Sequence, residues 1–311
     1  MKLISVIVPC FNEEAVFPET LKRLTDTMSE LPTETYDFEL IFVNDGSKDQ
    51  TLQLIKQAAQ NNQRIKCLNF SRNFGHQLAI TAGLDHCQGD AAIVIDADLQ
   101  DPPSIMLAMI EKWSEGFDVV FGKRKDREGE SGFKLWTAKY FYKIINRLSD
   151  VDIPKDTGDF RLMDRQALNQ FLKMRESYRF VRGMVAWIGF NQTFVEYDRD
   201  SRYAGETKYP LKKMIGLASD AILSFSNTPL KIATFVGFLT SVAAFVGIVY
   251  SLYIRLFTKS WVEGWTFLMI AILLIGGIIL LVLGIIGGYV GRIYGEIKQR
   301  PLYIVKDKIG F

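Results

Sequence analysis

The chain has 311 residues, 48% of them hydrophobic, and a formal net charge of +2. That length holds one large domain with room for a further segment. A balance so near neutral gives no reason to expect nucleic acid as a partner, and three cysteines (Cys10, Cys67, Cys87) without metal-ligand spacing fit packed thiols in a reducing cytosol.

Leu3 to Pro9 (LISVIVP) is a short β-rich run ended by proline. It passes directly into Asn12-Glu13-Glu14, so it is not read as a signal peptide. A helical pattern follows over 14–30. The cycle then repeats as strand 38–43, helix 49–61, strand 65–70, helix 76–87 and strand 91–96. This alternation predicts an α/β domain, a mostly parallel sheet with helices on both faces. In such sheets ligands lie off the carboxyl ends of the strands. Polar groups gather at those ends: Asn12 and Glu13, then Asp45, then Ser71-Arg72-Asn73, then Asp96 and Asp98.

A strand over 117–121 comes next, then a charged, Gly-containing loop from Lys123 to Gly132 and a helical pattern over 133–149. Residues 155–162 read as a turn into a short strand. Helices are expected over 164–174 and 178–187, a strand over 191–197 and a polar loop over 199–209. His76 and His86 have no partner at ligand spacing and read as helix surface or edge packing. From Leu211 to Ser226, apolar residues at helical spacing alternate with Lys212, Lys213 and Asp220, the pattern of an amphipathic helix lying at a membrane interface.

Two uncharged apolar runs close the chain, Ile232 to Ile254 and Thr266 to Val290. Each is long enough for a bilayer core of about 30 Å, which takes roughly 20 helical residues. Lys212, Lys213, Lys231, Arg292, Lys298, Arg300, Lys306 and Lys308 flank this hairpin on one side. The turn between the runs carries only Arg255 and Lys259. The positive-inside rule therefore sets the head and both termini in the cytoplasm, on an inner (plasma) membrane crossed twice. The expected organisation is a catalytic domain over 1–210, an interfacial helix over 211–228, a hairpin over 229–292 and a cytoplasmic tail over 293–311. Gly284/Gly288 and Gly287/Gly291 form small-xxx-small pairs, which suit packing against the first span or between subunits of a homo-oligomer.

Asp96-Ala97-Asp98 is the chemical centre of the sequence. Two carboxylates two residues apart at a strand end can share Mg²⁺ or Mn²⁺ through hard oxygens, with Gln100 available to complete the shell. A solvated acidic turn would carry the same triplet. The convergence of Asp45 and Arg72 on the same edge favours the metal and a diphosphate. Asp45 suits a base or ribose donor, or a helix N-cap in its Asp-Gly-Ser turn. Glu13 suits the site or the first turn of its helix.

These blocks bring out a family likeness. Val8-Pro9-Cys10-Phe11-Asn12-Glu13-Glu14, Val43 to Thr51, Ser71 to Gly75, Asp96 to Pro103, Thr157 to Arg161 and Arg202 to Tyr209 resemble, in order, the polyprenyl-phosphate glycosyltransferases, bacterial bactoprenol glucosyltransferases and dolichol-phosphate mannose synthases among them. The resemblance implies a GT-A domain with Pro9, Phe11, Glu13 and Asp45 around the nucleoside of a nucleotide-diphosphate sugar. It places Asp159 at the position usually taken as catalytic base. An acceptor phosphate with a second pKa of about 6 scarcely needs one, so Asp159 is also read as orienting substrate. Arg124, Arg161, Arg202 and Lys208 are the cations expected to hold the lipid phosphate. Arg202 and Lys208 would equally attract anionic lipid. The resemblance implies inverting transfer of one hexose, glucose from UDP-glucose, to undecaprenyl phosphate, with mannose or another sugar on a polyprenyl phosphate as the alternative. A processive polysaccharide synthase would carry more spans and a Gln-x-x-Arg-Trp motif; for a lipid-sugar flippase two spans are too few for most transport routes and neither carries a charge, and a non-catalytic membrane scaffold is the other alternative.

Overall fold

The computed structural model describes residues 1–125, 157–199, 228–257 and 265–311. Its centre is four parallel strands: β1 (Lys2–Cys10), β2 (Tyr36–Asn44), β3 (Ile65–Phe70) and β4 (Ala91–Val94), ordered β4-β1-β2-β3. On the far side of β4 lie β5 (Val119–Arg124), β6 (Thr157–Asp164) and β7 (Gln192–Tyr197). β6 runs antiparallel between β4 and β5, and β7 pairs parallel to β5. The sheet is therefore parallel at its centre and mixed towards its edges.

Alternate residues of each central strand serve opposite faces, as the pleat requires. Ile4, Val6 and Val8 of β1, with Leu40 and Phe42 of β2, pack under helices α1 (Phe17–Ser29), α2 (Thr51–Asn61) and α4 (Ile105–Ser114). Ile7, Ile41 and Val43 face α3 (His76–His86), α5 (Arg165–Lys173) and α6 (Val181–Trp187). Both faces of the central strands are apolar, which is why they read as continuous hydrophobic runs. Gly83 lets α3 lie directly on β1, where a Cβ would collide with Ile7. Cys10, Cys67 and Cys87 are free and buried in these two cores.

The strand and helix assignments made from the sequence hold within a few residues at their ends. Helix α4 was not among them. The 133–149 pattern, the 199–209 loop beyond Arg199 and the 211–226 interfacial helix fall outside the described residues.

The apolar runs form α7 (Thr228–Phe257, 30 residues) and α8 (Trp265–Ile297, 33 residues), each carrying a stretch long and apolar enough to cross a membrane. At about 1.5 Å per residue both helices exceed a bilayer core. Nothing lies within 4 Å of where a Cβ would stand on Gly284, Gly287 or Gly291.

The segment read as a tail over 293–311 holds ordered structure against the domain. α8 runs on past Val290, and Glu296 accepts hydrogen bonds from the Ser177 amide and hydroxyl at 2.8 and 3.2 Å. Beyond it, β8 (Val305–Ile309) pairs antiparallel with β3 and forms one edge of the sheet, opposite β7. Three charged residues in a row, Lys306-Asp307-Lys308, mask that strand in the sequence.

Candidate active site

Because β1 to β4 are parallel, their carboxyl ends share one edge, and β6, antiparallel to β4, begins there. Register sets Val94 opposite Arg161, which brings Asp159 beside the acidic turn after β4. Two more elements enter from α3 and α6, whose first turns carry His76, Gln77 and Arg182.

The loops after β1 and β2 are laced together. The Asn12 amide donates to Ser47 Oγ at 3.0 Å, and Lys48 N donates to Asn12 Oδ1 at 2.8 Å. Glu13 N donates to Thr51 Oγ1 at 2.8 Å, Glu14 N to Asp49 Oδ2 at 3.2 Å, and Gln50 N to Glu14 Oε2 at 2.9 Å. Phe11 and Glu13 are thus half-buried on a rigid double loop, with Pro9 buried beneath at the end of β1.

Asp45 is 3% exposed. It does not cap its own turn: its two oxygens accept from the amides of Phe74 and Gly75, at 2.6 and 3.0 Å, across the gap to the β3–α3 loop. Burial raises its pKa against those two bonds. Gly46, at φ +67, lets the loops meet, since a Cβ there would stand 2.6 Å from Arg72 C and Asn73 N. Arg72 is exposed beside them, its guanidinium 4.0 Å over the Phe74 ring.

After β4, Ala97 and Leu99 are buried while Asp96, Asp98 and Gln100 are half-buried, so the three polar side chains share the open side. Leu99 takes φ +56, and Gln100 N donates to Asp98 Oδ1 at 3.1 Å. Asp96 Oδ1 is sealed from water without a hydrogen-bond partner, with His76 Nε2 at 3.4 Å. Burial pushes the Asp96 pKa up to about 6, with His76 pulling the other way. An orphaned oxygen beside a second carboxylate suits a hard divalent cation. Among the described residues no three His, Cys, Asp or Glu side chains form a complete cage.

Asp159 is 6% exposed and surrounded by cations. Arg182 grips it with Nε to Oδ1 at 3.0 Å and Nη2 to Oδ2 at 3.1 Å. Arg161 Nη2 reaches Oδ1 at 3.1 Å, His76 Nε2 stands 3.4 Å from Oδ2, and Gln77 Nε2 donates to Oδ2 at 3.4 Å. Burial alone would raise its pKa. Arg182, His76 and Arg161 outweigh burial and hold the carboxyl well below the usual range. Ionised and saturated, Asp159 is a poor proton acceptor.

Arg161 corrects an expectation. It is 1% exposed, and its Nη2 and Nε donate to the carbonyls of Gly158 and Asp159 at 2.9 and 3.1 Å, under the site rather than toward a lipid. Burial draws its pKa down to about 10. Arg124 lies at the rim, with Nη2 3.4 Å from Asp101 Oδ1 and Nε 3.4 Å from the Tyr197 hydroxyl. Arg202 and Lys208 lie outside the described residues.

Two site residues escaped the sequence reading. His76, read as helix surface or edge packing, stands at the edge as a bridge between Asp96 and Asp159. The signal available was its place just after the Ser71–Gly75 block, at the first turn of a helix entering the polar edge. Arg182 carried no motif, and only the fold brings it to the site.

A sheet of this order, with an acidic pair just after β4 and an antiparallel strand returning beside it, is that of a GT-A-like domain. The chain belongs to glycosyl transferase family 2, whose profile matches residues 5–172. It is 52% identical over 306 residues to the uncharacterized glycosyltransferase YkcC of Bacillus subtilis, covering 98% of this chain and 94% of that one. It is 40% identical over 303 residues to the bactoprenol glucosyl transferase of Shigella phage SfII, covering 97% of each. Among solved structures, glucosyl-3-phosphoglycerate synthase of Mycobacterium tuberculosis, in complex with Mn²⁺, UDP and phosphoglyceric acid, superposes at TM-score 0.47 and 18% identity. That match covers 71% of this chain and 76% of the other, a likeness too distant to add to the family assignment.

Proposed function

We propose that this glycosyltransferase moves one hexose, glucose from UDP-glucose, onto a polyprenyl phosphate, undecaprenyl phosphate, with inversion at the anomeric carbon. The head would work at the cytoplasmic face of the inner membrane, with α7 and α8 as its two spans. The single observation that carries this reading is the meeting, at one sheet edge, of the Asp96/Asp98 pair with the His76–Asp159–Arg182 cluster, on a chain that also carries two bilayer-length apolar helices. End-to-end similarity to a bactoprenol glucosyl transferase supports the acceptor class and the sugar.

In this reading Pro9, Phe11, Glu13 and Asp45 border the nucleoside, Asp45 by holding the β3–α3 loop against it, and Arg72 covers the rim. Asp96 and Asp98, with Gln100 beside them, would hold Mg²⁺ or Mn²⁺, which when bound offsets the charge of the leaving diphosphate. The acceptor phosphate, with a second pKa of about 6, is already an oxygen nucleophile at neutral pH. Asp159 therefore serves by fixing Arg182 and His76 as preorganised positive charges. Arg182, 27% exposed, stands at the open side of this cluster. With Arg124, Arg202 and Lys208, it would steady an acceptor dianion beside an anionic donor. Attack opposite the diphosphate inverts C1 in one displacement, so catalysis rests on positioning and charge.

The test is a panel of radiolabelled UDP-glucose, GDP-mannose and UDP-N-acetylglucosamine, incubated with the purified full-length protein, undecaprenyl phosphate and Mg²⁺. Label is expected in an organic-extractable, acid-labile lipid from UDP-glucose. Label from GDP-mannose alone would move the proposal to a mannosyltransferase, and no lipid-linked label from any donor would end it.

A further inference from the structure

A chain of side-chain hydrogen bonds runs from the strand after the second apolar helix to the loop assigned to the donor. Asn69 Nδ2 donates to Asp307 Oδ2 at 2.8 Å. Asn44 Nδ2 donates to Asn69 Oδ1 at 2.9 Å, and the Ser47 amide donates to Asn44 Oδ1 at 3.4 Å. Ser47 Oγ then accepts from the Asn12 amide at 3.0 Å, between Phe11 and Glu13. Asp307 stands directly opposite Asn69 in the β3–β8 register. Asn44 and Asn69 are buried, so water does not readily replace a lost partner.

The relay has a direction. A carboxylate only accepts and a backbone N–H only donates. The two ends therefore impose the same orientation on both amides. Turning either amide over would set donor against donor or acceptor against acceptor. Asp307 decides which atom of Asn69 faces β2, and through it which atom of Asn44 faces the turn at Ser47.

We propose that Asp307 is a positioning residue for donor binding, acting through Asn69 and Asn44 on the 44–51 turn. The segment beyond the apolar hairpin thereby sets the shape of the nucleotide pocket. The link to donor binding rests on the proposed function, which assigns that turn to the nucleotide. The docking of β8 does not depend on this one carboxylate. The Tyr303 hydroxyl donates to Asp85 Oδ2 at 2.6 Å, Ser71 N donates to Ile304 O at 3.0 Å, and Ser177 holds Glu296. Removal of the Asp307 side chain should therefore disturb the relay and leave the strand in place.

The experiment compares full-length wild type, Asp307→Ala and Asp307→Asn in detergent. It reads UDP affinity with Mn²⁺ by calorimetry, donor KM and kcat, and amide hydrogen exchange over residues 44–51. Asp307→Ala is expected to weaken UDP binding and raise donor KM about five- to tenfold, with kcat within about twofold and faster exchange in 44–51. Asp307→Asn, which keeps an acceptor oxygen, should stay within about twofold of wild type on every readout. Unchanged affinity and exchange in Asp307→Ala would overturn the proposal, as would equal impairment of Asp307→Asn. A wild type that binds no nucleotide would refute the assigned function, and the exchange comparison would still decide the relay.

Discussion

His76 Nε2 lies 3.4 Å from Asp159 Oδ2, tying the first turn of α3 to the start of β6. The same nitrogen is 3.4 Å from Asp96 Oδ1, so one ring spans the acidic turn and the cationic cluster. Burial would lower the His76 pKa, but Asp96 and then Asp159 raise it to about 9. Without a bound metal ion, the two carboxylates thus favour the protonated ring at neutral pH. His76→Ala leaves two neighbouring carboxylates facing each other across a gap. We expect kcat to fall about 10- to 100-fold, with partial recovery in His76→Gln, measured as initial transfer rates.

A pH signature follows from the same ring. Its folded pKa of about 9 lies above the free value of 6.5. The stability it contributes is complete below about pH 6.5 and is lost as pH rises through 9. Asp96, raised to about 6, titrates below that window. With the ring one-third exposed and partly screened, the loss is on the order of 1–2 kcal/mol. Thermal melts of the wild type should decline between pH 7 and 9, and His76→Gln should flatten that decline.

Asp159 and Arg182 should behave as one unit. Asp159→Asn breaks the bidentate pair with Arg182. Each single substitution should cost about 100-fold or more in kcat/KM, and the double variant little beyond either, a non-additivity that identifies shared function. The wild-type rate should show no acidic limb belonging to Asp159, whose pKa is held well below the usual range. Additive losses, or a base limb that vanishes in Asp159→Asn, would assign proton abstraction instead.

Much of this site was legible in the sequence, because strand ends in a parallel sheet turn one-dimensional spacing into a shared edge. Asp45, Arg72, Asp96 and Asp98 were found by that rule alone. Arg161 was misplaced because an arginine in a motif says nothing of burial. Its neighbour Asp159 draws it inward, where desolvation is offset by pairing. Arg182 was invisible because α6 reaches the site through tertiary packing. β8 was missed because three charged residues in a row suppress the apolar signal of an edge strand, although such charges are how edges are kept from aggregating.

Gly46 tests the loop geometry. Its φ of +67 and the 2.6 Å approach of the Arg72–Asn73 backbone leave no space for a methyl group. Gly46→Ala should destabilise the protein by about 2 kcal/mol or more and weaken nucleotide binding, since Asp45 would lose the amides of Phe74 and Gly75. Melting temperature and UDP calorimetry read the two effects separately.

Tyr197 supports the rim from beneath. Its hydroxyl donates to Asp101 Oδ1 at 2.6 Å, while Asp101 Oδ2 is buried without a hydrogen bond. Tyr197→Phe deprives a buried carboxylate of its shortest bond, at a cost of about 1–3 kcal/mol. It should also loosen Arg124, which shares both partners, and so raise KM for the lipid more than for the donor.

The most direct measurement is UDP-glucose turnover onto undecaprenyl phosphate by purified wild type and Asp98→Asn, paired with Mn²⁺-dependent UDP binding to each. Wild type should transfer label in a divalent-dependent manner, and Asp98→Asn should lose at least about 100-fold in rate together with the metal dependence of binding. An Asp98→Asn protein that keeps near-normal turnover and metal-dependent UDP affinity would contradict the account.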